Sequence, residues 1–226
     1  YIKLGQFLAT RSDIIGLAMA QDLRHLQDRL PPFSDKQVAR LLATELDNAD
    51  AIIKDMAPPI AAASIAQVHV ATHRETGQKL AVKFLRPGVE DRLRGELELL
   101  ARMAKWAERL FPITHRLRPL DAITTLARSI NGETDFRMEA AALSEMAENT
   151  AQDKGFCVPD IIWEASGRRV LTMSWVDGVS ASDIEGLQKH GHDLSDLATR
   201  LLQIFLTLVL RDGFFHADMH QGNLLV

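Results

Sequence analysis

Apolar positions change period several times along the chain. Leu93, Leu97, Leu100, Ala104, Ala107 and Phe111 step by four, three, four, three, four, which predicts an amphipathic helix from about Val89 to Leu110. Residues 1 to about 28 also have helical spacing. Leu4, Phe7, Leu8 and Ile15 are its apolar positions, and Lys3, Gln6 and Thr10 share a polar face. The run RLPPFS breaks that pattern. Ser34 followed by Gln37 is a capping-box signature and opens a helix to about Asn48. MAPPIAAAS reads as a loop, since its two prolines bar a helix interior.

β-Branched runs follow. SIAQVHVATH and KLAVKFL predict two strands, joined by a turn at RETGQ in which Gly77 is free to take positive φ. A second long helix is expected from Leu120 to about Asn149, with Gly132 as a point of breakage. CVPDIIWEA and VLTMSWV predict two more strands around a turn at SGRR. DGVSASD is a loop, and helices follow at Asp183 to Lys189 and Leu194 to Arg211. Helices, then a small antiparallel sheet interrupted by helices, then helices again: this order is α+β and not a parallel βαβ sheet.

Composition narrows the function classes. The 226 residues are 46% hydrophobic and 25% charged, with a formal net charge of -4, so no nucleic-acid partner is expected. Cys157 is the single cysteine, which excludes an intramolecular disulfide and a cysteine-rich zinc site and predicts a reducing, intracellular setting. The longest apolar run, Leu201 to Leu210, is too short for a bilayer span of roughly 20 residues and reads as a buried helix. YIKLGQFLATRSD carries charge where a signal peptide needs an apolar core. The missing initial Met and the apolar end LLV predict a piece of a longer protein.

Four stretches carry candidate chemistry. Lys83 lies inside a β-branched strand; it either points to water from an edge or neutralises nucleotide oxygens, held by a helix carboxylate. In GETDFRMEAA, Asp135 and Glu139 are spaced i, i+4 and are expected on one helix face, with Glu133 displaced. A solvated acidic face is the alternative. The alanine-rich PPIAAASIAQVH lacks the glycines of a P-loop, yet Ser64, Gln67 and backbone N–H groups can meet phosphate; tight packing is its plainer reading. Finally, RDGFFHADMHQGNLLV offers His216, Asp218 and His220 as three possible metal ligands. It also offers Asp218 and Asn223 at the Asp-x-x-x-x-Asn spacing of a phosphoryl-transfer loop, Asp for the attacking hydroxyl and Asn for Mg2+. A metal-dependent hydrolase built on the two histidines leaves Lys83 and the acid-bearing helix unexplained.

Taken in order, these residues resemble the AarF/UbiB family of atypical kinase-like proteins, in the form found in bacterial ubiquinone biosynthesis. KLGQ (Lys3 to Gln6) is similar to the family's K-x-G-Q motif, AAASIAQVH to its alanine-rich nucleotide loop, AVKFLRPGV to its lysine strand, and ETDFRMEAA to its E-x-D motif. RDGFFHADMHQGNLLV resembles H-x-D-x-H-P-G-N, with Gln221 where the family usually has proline. The likeness covers essentially the whole chain.

The resemblance implies a protein-kinase-like, two-lobed α+β fold. Residues 1–57 would be an N-terminal helical extension, 58–173 an N-lobe with a helical insertion at about 88–150, and 174–226 the hinge and a truncated C-lobe. It implies ATP or ADP with Mg2+ as ligands. Ala61, Ala62, Ala63, Ser64, Ile65, Gln67 and Lys83 would meet phosphates, and Ser174 to Val176 would form the adenine-reading hinge. Lys83, Glu139 and Asp218 would be catalytic, Asn223 a Mg2+ ligand, and Lys3, Gln6, Glu133 and Asp135 a gating cluster. An Asp-Phe-Gly segment supplying the main Mg2+ ligand is expected beyond Val226. The function implied is phosphoryl transfer or ATP hydrolysis supporting ubiquinone biosynthesis, or else a non-catalytic nucleotide-binding scaffold. Quinone-precursor lipids or quinone-biosynthesis enzymes would be partners. The place implied is the cytoplasmic face of the bacterial inner membrane, reached through membrane segments outside this sequence.

Overall fold

The computed structural model describes residues 31–110, 118–216 and 223–226, together with Gly16 and Met219. The expected first helix with Lys3 and Gln6, and the loop residues Asp218, His220 and Gln221, lie outside the described residues.

Two units divide the chain: residues 1–140 with 161–173, and residues 141–160 with 174–226. In the first, helix α1 (Asp35–Glu45) opens where the capping box predicts, with Ser34 N–H donating to Gln37 Oε1 at 3.2 Å. A single turn, α2 (Ala49–Ile52), leads into β1 (Ile53–Lys54). Of the two prolines expected in a loop, Pro58 stays outside any strand and Pro59 instead enters β2 (Pro59–Ala62). Pro59 stands at the strand's first position, where its missing N–H is tolerated. β3 (Ala66–His73) and β4 (Lys79–Leu85) follow as the central hairpin, with Gly77 at φ 70° in the turn. The sheet runs β1-β3-β4-β5, with β2 also paired to β3, and β5 is Val170–Ser174.

Register puts Gln67, His69, Leu80, Val82 and Phe84 on one buried face, packed with Phe33, Val38 and Leu41 from the α1 region. Val68 pairs with Lys83 and Val70 with Ala81 on the opposite face, where all four are half-buried. Beyond them, Leu85 and Leu171 close a second core with α3 (Val89–Leu110), α4 (Pro119–Glu133) and Phe136. The sheet thus buries one face fully and leaves the Lys83 face partly open at its middle.

The helix expected from Leu120 to Asn149, with Gly132 as its point of breakage, is two, α4 and α5 (Phe136–Thr150), and the break falls at Thr134 and Asp135. Thr134 ends α4 by folding its hydroxyl onto Ile130 O at 3.0 Å, and the next residue, Asp135, receives Arg137 N–H at 3.1 Å, so the chain starts a new helix. The strand expected at CVPDIIWEA is also corrected. Only Ile161 makes a bridge, to Met173, and Trp163–Ala165 is a 3-10 turn. Ser166 Oγ supplies the competing local bonds, donating to Ile162 O at 2.8 Å and accepting Thr172 N–H at 3.0 Å.

In the second unit, α6 (Ile184–Lys189) is capped by Asp183, and α7 (Leu194–Thr207) by Asp193. The chain leaves α7 through one π-helical turn, Leu208–Asp212, and Gly213 at φ 64° ends it. Val179 and Val226 exchange backbone bonds at 2.8 and 2.9 Å. No helix among the described residues is long and apolar enough to cross a membrane.

Candidate functional site

Lys83 does not point into water. Its Nζ donates to both carboxylate oxygens of Glu139 at 2.8 Å, and stands 4.8 Å from the centre of the Phe136 ring. Phe136 and Glu139 are i, i+3 on α5, so one helix face presents a ring and a carboxylate to the same ammonium. The start of α5 makes this placement. Phe136 N–H donates to Arg168 O at 2.9 Å, and Phe136 itself is 1% exposed, which seats the helix against the segment that leads into β5. Phe136 escaped the sequence reading, although its i, i+3 spacing from Glu139 was the available signal.

Asp135 does not share a face with Glu139 as expected. It sits in the break between helices, gripped by its near neighbour: Arg137 Nε at 2.9 Å and Nη2 at 2.6 Å. Those hydrogen bonds hold the Asp135 carboxyl below its ordinary value, against a smaller desolvation effect. Glu133 ends α4, exposed.

The alanine-rich stretch forms the β2–β3 turn. Ala62 pairs with Gln67, and Ala63 N–H donates to Ala66 O at 2.7 Å. Arg86 fastens this turn, with Nη2 3.1 Å from Ala63 O and from Pro31 O, and its own N–H 2.7 Å from Ile65 O. Burial, with Arg92 nearby, pulls the Arg86 guanidinium below its ordinary value. Ala61 is exposed, while Ala62, Ala63 and Ser64 are half-buried. Ser64 Oγ is a buried hydroxyl with no hydrogen-bond partner among the described residues.

Two residues expected at phosphate are placed elsewhere. Gln67 is fully buried; its Oε1 accepts Phe33 N–H at 2.9 Å and its Nε2 meets His69 Nε2 at 2.8 Å. His69 Nδ1 completes the chain at Ala57 O, 2.8 Å away. The Gln67 amide is therefore a strut joining the sheet to the segment before α1. Ile65 turns its side chain into the second core, leaving only its backbone in the turn.

In the second unit, Ser174 is buried and doubly bonded to Asp160. Its N–H donates to Asp160 O at 2.8 Å, and its Oγ accepts Asp160 N–H at 2.9 Å. Val176 is half-buried, and Trp175 Nε1 donates to Asp177 at 2.6 Å. Arg211, in the π turn, reaches Asp153 through Nη1 at 2.7 Å and Nη2 at 2.8 Å, and Asp212 through Nε at 2.7 Å. The same bonds hold the Asp153 and Asp212 carboxyls below their ordinary values. His216 and Asn223 are both exposed. Among the described residues no three His, Cys, Asp or Glu side chains are grouped to hold a metal ion.

A lysine on a half-open sheet face, clamped by a helix carboxylate and preceded in the sheet by a turn of small residues, is the donor arrangement of kinase-like proteins. A family model described as the ABC1 atypical kinase-like domain matches residues 25–226. The chain belongs to this family. Its fold is accordingly kinase-like, mixing helices with a curled antiparallel sheet. A protein named "Probable protein kinase UbiB" from Marinobacter nauticus is 38% identical over 228 residues, a match covering 100% of this chain and 42% of the relative. Its namesake from Erwinia tasmaniensis is 35% identical over 234 residues, with the same coverage. The solved complex of Rv3197 with erythromycin from Mycobacterium tuberculosis matches with a TM-score of 0.74 at 27% identity, over 99% of this chain and 55% of that one. This ABC1 domain therefore spans less than half the length of the curated relatives it matches.

Proposed function

We propose that this ABC1 domain is the nucleotide-handling part of an ATP-dependent phosphotransferase or ATPase that supports ubiquinone biosynthesis. The observation that carries the reading is the Lys83–Glu139 pair on the open face of the sheet. A lysine kept only for stability gains little from such a pair at a half-exposed position. One aimed at phosphate needs a carboxylate to fix its direction. The orphaned Ser64 hydroxyl fits the same ligand, since a phosphate oxygen is an acceptor for a donor that has none.

Each residue then has a task. Lys83 donates to nucleotide phosphate oxygens while Glu139 orients it. The Ala61–Ser64 turn allows close approach because its side chains are small. Val68 and Ala81 offer an apolar surface beside Lys83 for the base, and the Ser174–Val176 segment offers backbone groups to it. Asp218 accepts the proton of the attacking hydroxyl or water. Asn223 would help hold Mg2+, which supplies charge neutralisation at the phosphates when bound. Lys3, Gln6, Glu133 and Asp135 form the gating group of the proposal. Quinone-precursor lipids or quinone-biosynthesis enzymes are the proposed acceptors or partners, at the cytoplasmic face of the inner membrane.

The full-length protein incubated with labelled ATP, a quinone-precursor mimic and candidate proteins tests the reaction class. Phosphate release without labelled protein is the ATPase outcome, and a stoichiometrically labelled partner is the kinase outcome. Biological function surviving Asp218→Asn would replace both with a scaffold.

A further inference from the structure

Helix α3 carries more apolar surface than its core contacts use. Val89, Leu93 and Ala104 are buried. Leu99, Met103, Trp106 and Leu110 are exposed by 39%, 60%, 64% and 60%. Their spacing of four, three and four places them within about 60° of arc at roughly 100° per residue. They form a continuous stripe on the distal half of the helix.

Charge changes along the same helix. Its first half holds the acids Glu90, Asp91, Glu96 and Glu98 against two cations, Arg92 and Arg94, ion-paired on the helix to Glu96 and Asp91 respectively. From residue 102 onward, Arg102, Lys105 and Arg109 face only Glu108, in a chain whose net charge is -4. All three cations are exposed, and none has an ion-pair partner among the described residues. The helix dipole acts within the last turn, so it accounts for Arg109 and not for Arg102 or Lys105.

From this pairing we infer that the distal half of α3 rests on an anionic phospholipid bilayer surface, with Trp106 and its stripe in the headgroup boundary and the three cations against lipid phosphates. An apolar stripe containing tryptophan beside exposed Arg and Lys suits a helix lying in an interface. The unpaired positive charge complements an anionic leaflet. A stripe that docks on another protein would have no need of this charge bias. This contact is separate from the nucleotide reading and stands or falls without it.

Co-sedimentation of the chain with vesicles of phosphatidylcholine, with and without phosphatidylglycerol, tests the inference. Circular dichroism and the melting midpoint would verify that each variant is folded. Binding is expected with phosphatidylglycerol. The triple variant Arg102→Gln, Lys105→Gln, Arg109→Gln should lose roughly a hundredfold in partitioning. In a Trp163→Phe, Trp175→Phe background, Trp106 is the only tryptophan left, and its emission should shift to the blue on those vesicles. Binding that ignores phosphatidylglycerol, a triple variant that partitions like wild type, or unchanged Trp106 emission on sedimenting protein would overturn it. A concentration-dependent blue shift without vesicles would overturn it in favour of a second copy of the chain on the stripe.

Discussion

Lys83 on β4 and Glu139 on α5, 56 residues apart, meet with both carboxylate oxygens 2.8 Å from the ammonium. Their side chains keep 27% and 39% exposure, so the pair is wet enough that its own contribution to stability is about 1 kcal/mol or less. Glu139→Gln should therefore leave the melting midpoint nearly unchanged. It should weaken ATP affinity about tenfold or more, read by calorimetric titration, because Lys83 loses its fixed direction. A large fall in stability with unchanged affinity would assign the pair to the fold instead.

Gln67 makes the opposite prediction. Gln67→Leu removes the acceptor of Phe33 N–H and the partner of His69 inside a closed core. Leaving such groups unpaired costs about 1–3 kcal/mol. Urea unfolding should show that loss. Nucleotide affinity of the folded protein should change little, since the side chain does not reach the open face.

Three of these residues show how far the sequence was legible. The strand lysine alone asked only for some helix carboxylate; it was the family resemblance that singled out Glu139 beside Lys83, and the two do meet. The same reading sent Gln67 to phosphate. Its amide is claimed by Phe33, 34 positions earlier, a pairing that no local pattern carries. Likewise α3 was readable end to end, because its apolar step persists over about five turns. The strand at Pro59–Ala62 was hidden by a proline that is harmless at a strand's first position. The break before α5 depends on two side-chain bonds, from Thr134 and to Asp135, that no periodicity records.

Gly178 approaches the segment Leu225–Val226 closely. A Cβ there would lie 2.9 Å from Leu225 Cβ and 3.1 Å from Val226 O. Gly178→Ala should destabilise the second unit by about 1–3 kcal/mol, the usual range for overpacking. Hydrogen exchange at the Val179 and Val226 amides, which pair with each other, should quicken in the variant. Unchanged exchange would show that the Leu225–Val226 segment yields without loss.

Acid should loosen the second unit. The carboxyls of Asp153 and Asp212 are held below their ordinary values by Arg211, so the folded state takes up protons less readily than the unfolded chain. The stabilisation is present above about pH 4 and is lost as pH falls through the folded values. Unfolding midpoints measured from about pH 6 down to about pH 2.5 should decline, and Asp153→Asn should flatten part of that decline. An identical slope in the variant would remove Asp153 as a source.

The most direct measurement is a thermal-shift titration with ADP and ATP, with and without Mg2+, on wild type and Lys83→Ala. The account predicts a rise in melting midpoint with nucleotide for wild type, larger with Mg2+, and little or none for a folded Lys83→Ala. No rise in wild type, or equal rises in both proteins, would contradict a nucleotide site built on Lys83.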